Sequence, residues 1–144
     1  MNRREVLFGG LAVASAVAMG RAQAAEMQHH HHNMSANAGL VAAAADCVQK
    51  GQACLSHCLH LLGQGDTEMA ACAKSVNQML ALCGALQSLA NQESAYLPKL
   101  AAIAQQACND CEEECKKHAD KHEACKACGE SCKACAKECK KIAA

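Results

Sequence analysis

Residues 125–139 read CKACGESCKACAKEC, five cysteines at steps of three, four, three and four. A helix turns about 100° per residue, so Cys125, Cys128, Cys132, Cys135 and Cys139 take the a and d positions of a heptad. Those positions face the interior of a bundle. Lys126, Glu130, Lys133, Lys137 and Lys140 take the other faces. The stretch is an amphipathic helix whose inner face is sulfur.

Upstream of it the chain is dominated by Ala, Leu, Gln, Glu and Lys, all good helix formers. Punctuation divides this region. A first helix is expected from about Asn37 to Leu62, stopped by Gly63-Gln64-Gly65. Asp66 is the expected N-cap of a second, reaching about Ala90. The polar run Asn91 to Ser94 interrupts the chain, and Pro98 suits the first turn of a third helix ending near His118. The fourth covers about Lys121 to Ile142. Four long helices with short loops and no strand predict an all-α fold, an antiparallel four-helix bundle with a cysteine-lined core.

The other thiols follow the same geometry. Cys47, Cys54 and Cys58 lie within about 40° of one another on the first helix. Cys72 and Cys83 align on the second, and Cys108, Cys111 and Cys115 share a face of the third. All 13 cysteines are thus expected to point into one interior. Aromatic side chains are nearly absent, only Phe8 and Tyr96 being present, so the core must be built of Leu, Ala, Val and thiols.

The first 36 residues are of another kind. MNRREVLFGGLAVASAVAMGRAQAAE has paired arginines, Arg3 and Arg4, a weakly apolar run from Val6 to Met19, and the small-residue site Ala22-Gln23-Ala24. That pattern is an export signal over residues 1–24, and the paired arginines point to the twin-arginine route. Its apolar run is too short for the roughly 20 residues that span a bilayer. The expected destination is the periplasm or another extracytoplasmic compartment. Residues 25–36, AEMQHHHHNMSA, read as a flexible His/Met tail, and residues 37–144 as the bundle domain. His29 to His32, flanked by Met27 and Met34, either capture metal ions or form a plain solvated segment.

Removal of residues 1–24 would take away Arg3, Arg4, Arg21 and Glu5, leaving 11 basic and 13 acidic side chains, a charge of −2. Nothing in that balance favours nucleic acid or an anionic membrane as partner. No membrane insertion is expected once the signal is gone. No Ser/His/Asp set is visible, and Cys–His catalysis uses one activated thiol, so an enzyme is not expected.

A bundle core lined with sulfur has few uses. Free cysteine packs as a small hydrophobe, which accounts for one or two thiols but not every seam position of a helix. Disulfides suit an exported protein. Yet Cβ atoms three or four residues apart on a helix are about 5–6 Å apart, beyond the roughly 3.8 Å of a disulfide, which disfavours bonds within one helix and leaves bonds across helices open. Metal binding fits better. Metal–thiolate bonds of about 2.3 Å let neighbouring thiols share a two-coordinate ion, and the soft monovalent ion that matches soft thiolates is Cu(I). Each Cu(I) that replaces a thiol proton leaves the core's charge unchanged. A four-cysteine zinc site adds about −2, costly when repeated in a buried core. The alternative is an iron–sulfur or zinc-binding cysteine-rich protein. The spacing C-x2-C-x3-C-x2-C-x3-C approaches that of ferredoxins, although no proline follows and helices replace their loops.

The chain resembles the copper storage proteins, in particular their exported, twin-arginine-dependent members. The resemblance rests on ADC-x6-C-x3-C around Cys47, Cys54 and Cys58, MAAC at Cys72, LCGAL around Cys83, and above all ECKACGESCKACAKECKKIAA at the end. It implies a four-helix bundle filled with multiple Cu(I) ions held by all 13 cysteines. It implies a homotetramer, copper donor and acceptor proteins, and supply of copper to enzymes such as a methane monooxygenase. It also places His57 and Met69 at an open end of the bundle as an access route for copper. Leu61 and Gln64 stand where relatives carry methionine, and His60 is an additional imidazole nearby. His118 and His122 are expected to be plain surface residues.

Overall fold

The computed structural model describes residues 36–143. Helix α1 spans Ala38–Gly63, a 3-10 turn follows at Thr67–Met69, and α2 is Ala70–Asn91. Helix α3 spans Leu97–Lys116 and α4 Glu123–Ile142. No strand occurs among the described residues. The proposed export signal and the segment His29–His32 lie outside the described residues.

Local chemistry sets the boundaries. Gly65 takes φ +93°, a backbone open chiefly to glycine. The turn it makes lets the Asp66 N–H donate to the Leu61 carbonyl at 3.0 Å. Asp66 then caps as expected, its Oδ1 accepting from the Glu68 N–H at 3.1 Å. It caps the 3-10 turn, which in turn leads into α2. Pro98 sits in the first turn of α3, where its missing N–H costs nothing. Helix α3 ends earlier and α4 starts later than expected, because residues 117–122 close as turns with His118 N–H donating to Cys115 O and His122 N–H to His118 O.

The helices alternate in direction. Cys47 meets Cys132, and seven residues onward along α1 Cys54 meets Cys125, seven residues back along α4. The same reversal relates α2 to α3, where Cys83 meets Cys108 and Cys72 meets Cys115. Asn37 Nδ2 donates to Ala90 O at 3.4 Å, tying the start of α1 to the end of α2. On α4, Gly129 faces α3, where a Cβ would make ordinary contact with Cys115 Cβ at 3.4 Å.

The core has two parts along its length. Toward the start of α1 it is aliphatic, with Leu40, Ala44, Leu86, Ala90, Leu97 and Ala101 buried. Each leucine contributes roughly 1.5–3 kcal/mol by leaving water, and together they seal that end. Toward the end of α1 the filling is sulfur. Salt bridges on the surface, such as Lys116–Glu112 at 2.7 Å, add little at such exposure.

Candidate metal centre

Every one of the 13 cysteines is buried with no solvent exposure, and every one is unbridged. The seam positions read from the heptad on α4 and from the shorter patterns on α1, α2 and α3 therefore meet in one interior. The shortest thiol–thiol separation is 3.5 Å, between Cys83 and Cys108, far beyond the roughly 2.05 Å of a disulfide.

Most close sulfur pairs join different helices. Cys47–Cys132 stand 3.6 Å apart, Cys54–Cys125 3.7 Å, Cys72–Cys115 3.8 Å and Cys83–Cys135 3.9 Å. Within single helices, Cys54–Cys58 and Cys111–Cys115 stand 4.0 Å apart. Spacing along one helix suggested rows of thiols on each helix. The fold instead knits the rows together sideways, since antiparallel packing brings sulfurs of facing helices closer than successive turns do.

Four groups are tight enough to hold metal, their sulfurs all within 4.8 Å of one another. Cys47, Cys83, Cys108 and Cys135 give one thiol from each helix. Cys54, Cys58, Cys72 and Cys125 form a second quartet near the other end. The trios Cys54, Cys115, Cys128 and Cys111, Cys128, Cys132 connect them. Cys54 and Cys128 belong to more than one group, so the sulfurs form a continuous column rather than isolated cages. Cys139 extends it beyond Cys135 toward the aliphatic end.

Hydrogen bonds between the thiols sort them by acidity. Cys47 is held well below the usual thiol value by donation from Cys108, Cys132, Cys135 and Cys83. Cys72 and Cys128 are lowered in the same way by their neighbours, chiefly Cys115 and Cys111 respectively. The donors shift the other way. Cys115 is raised by its bonds to Cys111, Cys128, Cys54 and Cys72, and Cys132 by Cys108, Cys111, Cys128 and Cys47. Burial pushes Cys58 up to about 11, helped by Cys72 beside it. The thiols thus share their protons through one hydrogen-bonded network, and an incoming cation displaces protons from it.

The end carrying Cys58 and Cys125 is the one that holds the imidazoles. His57 Nε2 and His122 Nδ1 share a hydrogen bond of 3.0 Å with ring centroids 4.8 Å apart. His118 lies 6.4 Å from His122 by ring centroid. His122 is therefore not the plain surface residue expected from its place beside a turn, because the late start of α4 swings it across to α1. Met69 is 1% exposed, and it borders a cleft of about 370 Å³ together with His118, His122, Asp66, Glu68 and Glu114. His60 and Gln64 are exposed and Leu61 is half-buried.

Sequence reasoning missed Met79. It is fully buried, and its Sδ lies 3.3 Å from Cys47 Sγ. The signal was present, since Cys72, Val76, Met79 and Cys83 recur on one face of α2.

The sequence model of the copper storage protein family matches residues 33–144. No curated protein gives a match. Among solved structures, apo copper storage protein 3 from Bacillus subtilis is similar, with 25% identity and a TM-score of 0.66 over 75% of this chain and 99% of that one. The Cu(I)-bound copper storage protein BsCsp3 is similar in fold, with a TM-score of 0.67 at 23% identity over 75% of this chain and 98% of that one.

Proposed function

The chain belongs to the copper storage protein family, and from that premise we propose that its sulfur column stores many Cu(I) ions per chain without catalysing a reaction. The observation that carries this reading is the burial of 13 unbridged thiols in one connected column. Soft thiolates select Cu(I), and a monovalent ion replacing each proton keeps a buried core neutral. Capacity approaches one ion per cysteine, about 13, when each thiolate bridges two ions and each ion two thiolates.

Copper enters and leaves at the end marked by His57 and Met69, where the cleft beside Met69 supports an access route. In the same reading the chain is exported by its twin-arginine signal to an extracytoplasmic compartment and works as a homotetramer. It receives copper from a donor protein and supplies a copper enzyme such as a methane monooxygenase.

Anaerobic titration of the reduced protein with Cu(I), against a competing chelator, tests the central claim. Saturation near 13 ions per chain is expected. Saturation near three or four ions would falsify the storage reading in favour of separate four-thiolate sites, and iron with labile sulfide would favour a cluster protein.

A further inference from the structure

On the inner face of α1, Gly51 stands between Cys47 and Cys54 at a position whose spacing would admit another thiol. Gly51 is buried, and a Cβ built on it would lie 2.6 Å from Met79 Cε. The missing side chain is the hollow that Met79, from α2, occupies. Met79 is fully buried in a column otherwise made of thiols at this level. Its Sδ lies 3.3 Å from Cys47 Sγ, and Cys47 Sγ lies 3.6 Å from Cys132 Sγ. Leucine would fill a comparable volume, so packing alone does not call for a sulfur here.

We propose that Met79 is a copper ligand of the core, its thioether the neutral third donor to a Cu(I) held by Cys47 and Cys132. This rests on the storage reading above. Two sulfurs each about 2.3 Å from one ion can be at most about 4.6 Å apart, and both separations fall inside that limit. Before metal arrives, Cys47 Sγ and Met79 Sδ stand at hydrogen-bond distance, 3.3 Å apart. On binding, Cys47 and Cys132 ligate as thiolates, any proton either still holds passing to solvent, and the Met79 lone pair that faces Cys47 then faces the ion. No electron is transferred and Met79 loses no proton. A neutral donor raises the coordination from two to three without adding negative charge, whereas a third thiolate would add an uncompensated charge in a buried site. Thioethers are soft enough for Cu(I) and poor ligands for harder ions.

The test is X-ray absorption on the full chain labelled with selenomethionine and loaded anaerobically with Cu(I). A copper–selenium path at bonding distance is expected in the wild type and in Met69→Leu. Met79→Leu, which conserves volume, should remove that path while capacity falls by about one ion per chain at most. Gly51→Ala is a second probe, since its methyl would displace Met79 Cε and should weaken the path with helix content kept. A wild type that loads fully yet gives a spectrum indistinguishable from that of Met79→Leu overturns the assignment and leaves storage intact. A wild type that takes up no Cu(I) overturns both.

Discussion

His57 Nε2 and His122 Nδ1 stand 3.0 Å apart, so one hydrogen bond joins the last turns of α1 to the first residue before α4. It lies beside Cys58 and Cys125, the thiols nearest that end of the column. One imidazole must donate and the other accept, which fixes both rings across the gap. Replacing His57 and Met69 with Ala should slow copper uptake or release several-fold, with final capacity almost unchanged. His122→Ala should act in the same direction as His57→Ala, because it frees the partner ring. Stopped-flow transfer to a chelator measures the rates. A loss of several ions would instead make these residues core ligands.

Acidity gives a second expectation. Cys58, whose ordinary value is 9.0, is pushed up to about 11 by burial, so its proton is present at neutral pH and must leave when copper binds. Metal affinity should therefore fall as pH falls, and loading in weak buffer should release about one proton per Cu(I). For the apo protein the sign is opposite. A thiol with a raised folded value stabilises the fold fully below about pH 9, and that share is lost as pH rises through about 11. Melting temperature of the reduced apo protein should drop across that window, less so in Cys58→Ala.

Storage also requires that the empty container persist. Small metal-stabilised domains unfold without metal because ligation supplies their folding energy. Here the helices are made of strong formers and the protonated thiols pack as small apolar groups. Far-ultraviolet circular dichroism of reduced apo and copper-loaded protein should nearly coincide, and the loaded form should melt higher because copper binds only the folded state. A random-coil apo protein that gained helix on metal addition would make the cysteines structural ligands.

The aliphatic end should be separable from the sulfur. Leu86 is fully buried there, three residues beyond Cys83 on α2. Leu86→Ala should cost about 2–5 kcal/mol of apo stability through the cavity it leaves, measurable by denaturant unfolding. Copper capacity should stay as it was.

The fold was legible because helical periodicity and side-chain type agreed. Gly65, Asp66 and Pro98 punctuate the chain where the structure breaks it, and the heptad of cysteines on α4 faces inward as its spacing requires. What escaped was lateral. Spacing along one helix cannot say that Cys47 lies beside Cys132 or that Cys83 meets Cys108, because that depends on how far each helix slides against its neighbour. For the same reason His122 looked like a turn residue and Met79 was passed over. Each acquires its meaning from a residue more than 30 positions away, His57 for one and Cys47 for the other.

The up-and-down course of the helices has a consequence for the histidines ahead of α1. Asn37 begins at the aliphatic end, beside Ala90, while His57 lies 20 residues further along the same rod, about 30 Å away at 1.5 Å per residue. His32 stands five positions before Asn37 and His29 eight, a tether of at most about 18 Å from the nearer and about 29 Å from the farther when fully drawn out. A copper ion caught at His32 is thus out of reach of the same molecule's open end, and one caught at His29 comes near it only with the whole tether straight. Handover to a second molecule needs no such extension, so a rate that scales with protein concentration is expected. Filling the store from that tail is then easier as a collision between neighbours than as an act of one chain.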